Sequence, residues 1–177
     1  IAGLQNRSEG TVRALLGKEL MTENGLLTEQ GSSTFWDRST LYALRGIYIA
    51  GQADRATEFL SHYARRRLLG DHVPYPIEAW PEGSQRHLAA ESGLFCRVIT
   101  EGLFGIRPTG FRSFDLTPSM PSGWNRMALR HIRAFENNFD LVIEKQPDGF
   151  LRVTLAISGR NPRAFRLRQG ASLRIKL

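Results

Sequence analysis

The sequence predicts an α+β multidomain chain, with helical hairpins first and an antiparallel β-sandwich second. Apolar residues recur at helical spacing as far as Phe104, the period becomes two from Phe111 onward, and prolines and glycines punctuate the second part. The 177 residues, 41% hydrophobic and 23% charged, have ordinary globular composition, which excludes collagen-like, low-complexity and disordered classes. No apolar run approaches the ~18–20 residues of a bilayer span, so no membrane span is expected. The single cysteine, Cys96, excludes a disulfide framework and a Cys-based zinc site.

The helical part reads as four helices. Thr11 to Leu20 carries Val12, Leu15, Leu16 and Leu20, and Asn24-Gly25 stops it. A polar loop, Thr28 to Ser33, follows. Ser39 to Ala50 forms the second helix, with Gly51 where a terminating glycine belongs. Ala53 to Leu69 forms the third, and its stripe of Ala56, Phe59, Leu60, Tyr63 and Ala64 marks one buried face. Arg65-Arg66-Arg67 complements the dipole of its last turn, and Gly70 ends it. The short link between helices two and three predicts an antiparallel hairpin. Ser84 to Phe104 is the fourth helix, with Leu88, Phe95, Val98, Ile99 and Leu103 inward. Cys96 reads as an inert core thiol on that helix.

Strands follow at Phe111–Thr117, Met127–Phe135, Phe139–Lys145, Phe150–Ile157, Ala164–Leu167 and Ser172–Leu177. Pro118, Pro121-Ser-Gly123, Asn137-Asn138, Asp148-Gly149 and Ser158-Gly159 are the turns between them. Short antiparallel strands in this number predict a sandwich. The expected division is 1–108 helical and 109–177 sandwich.

The net charge of +7 is uneven. Residues 1–110 carry 12 Lys+Arg and 12 Asp+Glu, whereas residues 111–177 carry 12 and 5. The arginines alternate with apolar residues, as in Leu129-Arg-His-Ile-Arg-Ala-Phe135, which is the pattern of a solvated sheet face. No recognition motif accompanies the charge, so no nucleic acid is expected as a partner.

The chemistry-bearing cluster is Tyr75-Pro-Ile-Glu78-Ala-Trp80-Pro-Glu82-Gly83, followed by His87 and Glu91. Three prolines stiffen the loop from Asp71 to Gly83, and loops with aromatics and carboxylates on a rigid scaffold tend to carry function. Glycosidic cleavage needs two carboxyl groups, one to protonate the leaving oxygen and one to activate water or attack. Tyr75 and Trp80 offer flat faces for a sugar, and Glu78 sits between them, where proline-held backbone limits its drift. Glu82 serves either that chemistry or the start of the following helix. His87 is either a satisfied core imidazole or a pocket group. Glu91 is either one member of a structural ion pair, with Arg86, His87 or Arg45 as partner, or a pocket carboxylate. Phe35-Trp36-Asp37-Arg38 precedes the second helix, with Asp37 in the N-cap region and Trp36 either core or rim. There is no Gly-x-Ser-x-Gly, no glycine-rich phosphate loop and no His-Glu-x-x-His, so no metal and no cofactor are expected.

The order of these features, with Gly102-Leu-Phe-Gly-Ile-Arg-Pro108 and Leu116-Thr-Pro-Ser-Met-Pro-Ser-Gly-Trp124, resembles the C-terminal end of the six-hairpin, or (α/α)6-toroid, glycoside hydrolases. The α-L-rhamnosidase and α-L-fucosidase-like families are nearest in pattern. The resemblance runs from Thr34 to Leu177. It implies that residues 1–108 are the last hairpins of a toroid. It also implies that Glu78, within Ile77-Glu78-Ala79-Trp80, is the water-activating base of an inverting reaction. Trp80, His87, Tyr75, Trp36, Asp37 and Glu82 would then line a carbohydrate site. Pro76-Ile77 stands where the rhamnosidase-like pattern has an aromatic. A toroid needs more helices than this chain supplies, and the chain starts at Ile1 without an initiator Met. The expectation is therefore a portion of a longer enzyme, with the general acid upstream and the rest of its own polypeptide or an oligomeric partner completing the toroid. Family habit implies periplasmic or secreted residence. The competing expectation is a non-catalytic carbohydrate-binding or structural module.

Overall fold

The computed structural model describes residues 2–67, 69, 79–80 and 89–177. The chain is α+β and divides into two compact units, Ile1–Gly102 and Leu103–Leu177. The sequence-based boundary near Pro108 falls inside the first strand of the second unit.

The first unit contains α1 (Ala2–Leu15), β1 (Met21–Thr22), β2 (Gly25–Leu26), β3 (Phe35–Trp36), α2 (Asp37–Ile49), α3 (Ala53–Arg67), β4 (Ala79–Trp80) and α4 (Ala89–Arg97). Helix α4 runs on into a π-helical turn, Val98–Leu103. Helix α2 is the hub and packs against both α3 and α4. Its buried face is Leu41, Leu44, Ile47 and Tyr48, and α3 buries Ala56, Phe59, Leu60 and Tyr63, the stripe its sequence predicts. The Tyr48 hydroxyl is satisfied by the Thr57 hydroxyl at 2.8 Å.

Three local expectations change. Helix α1 begins nearer the N-terminus and ends at Leu15 rather than Leu20. Asn24-Gly25 ends no helix: Glu23-Asn24 turns a small hairpin, β1 against β2, and Gly25 opens β2 opposite Thr22. There the Thr22 hydroxyl donates to the Gly25 carbonyl and accepts from the Asn24 N–H, and Gly25 takes a φ of +132°. Cys96 is exposed rather than core. Leu94 and Val98 hold the inward face of that segment, and Cys96 lies midway between them on the other side of the helix.

The second unit is built from two antiparallel sheets. Strands β5 (Ile106–Gly110), β6 (Ser113–Leu116) and β11 (Leu173–Lys176) form one, in the order β11-β6-β5. Strands β7 (Arg126–Ala134), β8 (Asn137–Lys145), β9 (Phe150–Ile157) and β10 (Arg163–Arg168) form the other, in the order β10-β9-β8-β7. Alternate residues face inward: Phe139, Leu141 and Ile143 on β8, and Leu151, Val153, Leu155 and Ile157 on β9. Phe114 of β6 stacks on Phe139 of β8 with ring centroids 6.0 Å apart, so side chains of the two sheets share one core.

The predicted Asn137-Asn138 turn is displaced. Both asparagines belong to β8, opposite Ala134 and Arg133. The chain reverses at Phe135-Glu136, which take φ of 54° and 58°. Two consecutive positive φ values are what a two-residue hairpin needs to match strand twist. The Asn137 side-chain amide supports the turn by donating to the Phe135 carbonyl at 2.7 Å, and Phe135 is anchored by stacking on Phe114. Asp148-Gly149 turns as predicted, with Gly149 at φ +80° and Asp148 accepting from the Phe150 N–H.

Gly105 is the tightest point of this unit. Its φ is +66°, and a Cβ there would stand 1.9 Å from the Thr117 carbonyl oxygen. The Thr117 N–H donates to the Gly105 carbonyl at 3.0 Å, so the two backbones are held in register and cannot separate. Gly105→Ala is expected to destabilise the unit by about 3 kcal/mol or more, the range of a severe backbone clash, as read by urea denaturation. In the helical unit, burial raises the Tyr48 phenol above its ordinary 10.0, and the Thr57 hydrogen bond offsets part of that. The folded state then holds this proton more tightly than the unfolded state. Its stabilising effect is complete below pH 10 and is lost as pH rises through the folded value. Tyr48→Phe should flatten the alkaline limb of the unit's pH–stability profile.

Candidate functional site

Among the described residues, the buried polar or charged ones are Asp37, Thr40 and Glu91. All three gather at the first turn of α2. Asp37 is the first helical residue, with Trp36 as the N-cap at φ −110° and ψ 118° and no side-chain capping bond from Trp36. Asp37 thus sits inside the helix rather than at the cap its sequence suggested. A carboxylate there meets the positive end of the helix dipole.

Thr40 joins three segments through one hydroxyl. It donates to the Trp36 carbonyl at 2.9 Å and accepts from the Leu26 N–H at 3.0 Å. Glu91 is fully buried on α4, and its Oε1 accepts from Arg38 Nε at 2.7 Å. Its Oε2 has no hydrogen-bond partner among the described residues. The sequence nominated Arg86, His87 or Arg45 as the partner of Glu91. Arg45 is instead engaged by Glu101 at 2.8 Å, and Arg86 and His87 lie outside the described residues. Arg38 stands 53 positions from Glu91, and no local spacing rule joins residues so far apart.

The same helix start carries a backbone pairing with the two-residue strand Ala79–Trp80. Strand β3 pairs antiparallel with β4, with Phe35 opposite Trp80 and Trp36 opposite Ala79. Phe35 is buried, and Trp36 is 39% exposed, which makes it rim rather than core. Of the remaining predicted site residues, Tyr75, Glu78, Glu82 and His87 lie outside the described residues.

Glu101, in the π-helical turn, bridges Arg45 of α2 and Arg97 of α4. Burial pushes its carboxyl upward, but the two guanidiniums outweigh that and hold it below the usual range. This second bridge again ties α4 and the turn to α2. A hollow of about 230 Å³ lined by Glu9, Val12, Arg13, Ala50, Gln52 and Arg55 lies at the opposite end of α2, about 18 Å along the helix from Asp37. It contains none of the predicted site residues. Among the described residues no cluster of three or more His, Cys, Asp or Glu could hold a metal ion, and no helix is long and apolar enough to cross a membrane.

Compared with known proteins, the chain matches no family model, no curated protein and no solved structure.

Thr40 and Arg38 are the site residues that sequence reasoning missed. The Thr at the fourth position of α2 carries a signal, because a hydroxyl one turn into a helix can reach back to the carbonyl at i−4. Removing Arg38 would strand a buried carboxylate. Arg38→Leu is expected to cost about 2 kcal/mol, below the ~3–5 kcal/mol of a fully buried pair because Arg38 is 39% exposed. Combining it with Glu91→Leu should recover most of that loss in a double-mutant cycle read by chemical denaturation.

Proposed function

We propose that this chain is the C-terminal portion of an inverting glycoside hydrolase of the six-hairpin type. Its helical unit supplies the last hairpins of the toroid, and its antiparallel sheets form the sandwich that follows. Glu78 is the base that activates water, and Trp36, Asp37, Tyr75, Trp80, Glu82 and His87 border the sugar. The general acid comes from a part of the enzyme outside these 177 residues.

One observation carries the reading: the pairing of Phe35–Trp36 with Ala79–Trp80. Glu78 directly precedes Ala79 in the chain, so the segment that bears the proposed base is tied to the helix start that bears Asp37. This is an economical way to bring a carboxylate-bearing loop and an aromatic rim together, since ladder hydrogen bonds orient a short segment without a large core. Buried Thr40 bonds to the Trp36 carbonyl and buried Glu91 holds Arg38, so both brace the same helix start. A base positioned by such a shell contributes roughly 10²–10⁴-fold to rate. In an inverting site its carboxyl stands ~6.5–9.5 Å from that of the acid, leaving room for the attacking water.

A second reading, a non-catalytic carbohydrate-binding or structural module, is favoured by one fact. Glu91, the most deeply buried carboxylate described, is bound by Arg38, as a strut would be.

The purified 177-residue chain is expected to release no aryl alcohol from aryl glycosides, and in the polypeptide that includes the upstream helices Glu78→Gln should cut kcat by about 10²-fold or more while sugar binding persists. Turnover unchanged by Glu78→Gln would eliminate the catalytic reading. Turnover by the isolated chain, abolished by that substitution, would show that the acid lies within these residues.

A further inference from the structure

The unit from Leu103 to Leu177 carries 13 Lys+Arg against 5 Asp+Glu. Each of the five acids has an arginine: Asp115 with Arg174, Glu136 with Arg112, Asp140 with Arg130, Glu144 with Arg126, and Asp148 with Arg166. None of the other cations forms a close ion pair with these acids, although Arg107 lies opposite Asp115 and acts on it electrostatically.

The register shows where the excess is concentrated. On the outward face of the four-stranded sheet, Arg166 of β10 lies directly opposite Arg152 of β9, and Arg168 lies opposite Phe150. Arg152 is opposite Glu144 of β8, which is opposite Arg126 of β7. A single row of three arginines and one glutamate therefore crosses the whole sheet. Glu144 is bound to Arg126 and Asp148 to Arg166, leaving Arg152 and Arg168 without an acid among the described residues. The Phe150 ring lies 3.5 Å beneath the Arg166 guanidinium and 5.6 Å from that of Arg168. The ring is thus within cation–π reach of both guanidiniums.

Like charges directly opposite one another destabilise a sheet. Charge on an edge strand guards against unwanted strand pairing, which accounts for Arg166 and Arg168 on β10. Arg152 is on a strand flanked on both sides; it faces Arg166 on one side and, on the other, Glu144, whose close ion pair is with Arg126. We propose that this outward face binds an acidic polysaccharide, whose carboxylates are held by Arg152, Arg166 and Arg168.

Guanidinium matches a carboxylate in two parallel hydrogen bonds. A nucleic acid fits less well. Phe150 is the one aromatic among the outward positions of the sheet, and it is covered by Arg166, so no bare ring is offered for base stacking. A flat sheet face also projects no element into a groove. The choice of a saccharide over another polyanion rests on the glycoside-hydrolase reading above.

Calorimetric titration of the chain with alginate, neutral dextran and oligothymidylate tests the proposal. Alginate should bind and dextran should not. Arg152→Gln with Arg168→Gln should weaken alginate binding about tenfold or more, with the thermal midpoint retained because both side chains are exposed. Arg107→Gln with Arg133→Gln removes the same charge away from this row and should weaken binding less than about threefold. The proposal is overturned by absent alginate binding, by equal loss in the two double variants, or by tighter binding of oligothymidylate. Those outcomes leave the Glu78 site untouched. Conversely, an inert Glu78→Gln with alginate binding intact removes only the catalytic reading.

Discussion

A carboxylate taken wholly out of water costs several kcal/mol unless a cation and hydrogen-bond donors meet it, and Glu91 imposes that condition on the helical unit. Arg38 meets it from the first turn of α2. Within one turn of the same helix, Thr40 fastens the β2 strand, and immediately before it β3 pairs with β4. Segments far apart in the chain thus converge on one polar junction. An apolar junction of similar volume would be at least as stable. What the polar one adds is register, because the Arg38 fork reaches Glu91 from a single helical phase, whereas apolar ridges on α2 and α4 can slide by a turn.

The second unit is held differently. Its core is the alternation of β8 and β9 and the stacked rings of Phe114, Phe135 and Phe139, and its close backbone approach at Gly105 admits no side chain. Its ion pairs lie on the surface, where each contributes at most about 1 kcal/mol. The arginines beside Asp115 and Asp148 lower those carboxyls, which marks their attraction without making them a source of stability. Charge in this unit decorates a fold that period-two burial already determines.

What could be read from the residues follows that division. Helix α3 and strands β8 and β9 were legible because one face of each is buried and the apolar period is unbroken. Asp148-Gly149 was legible because a turn residue and a required positive φ coincide. The Phe135-Glu136 turn was not, since neither residue favours positive φ; the stacking of Phe135 on Phe114 and the bond from the Asn137 amide to the Phe135 carbonyl hold it. Asn24-Gly25 signals both a helix stop and a hairpin, and only the Thr22 hydrogen bonds decide between them. Cys96 was misread because an apolar window conceals helical phase: the buried positions are Leu94 and Val98, and the residue midway between them faces out. At the candidate site, the burial of Glu91 was legible from its apolar neighbours, but its partner was not, because the Arg38 contact is tertiary.

The two units also treat unbalanced charge in opposite ways, and the contrast bears on what each is for. In the helical unit a buried acid has to be matched by the fold itself, so its pairing reports on architecture. On the outward face of the sheet water can solvate any charge, so folding demands no ion-pair partner for Arg152 or Arg168, and a charge that guards the β10 edge need not be an arginine. Solubility alone would be met by either sign of charge and by lysine as readily as arginine. Yet Lys145 and Lys176 are the only lysines among the thirteen cations of this unit. An excess made almost wholly of planar, doubly donating groups, two of them within cation–π reach of one phenyl ring, suits recognition of planar anions better than it suits mere hydration.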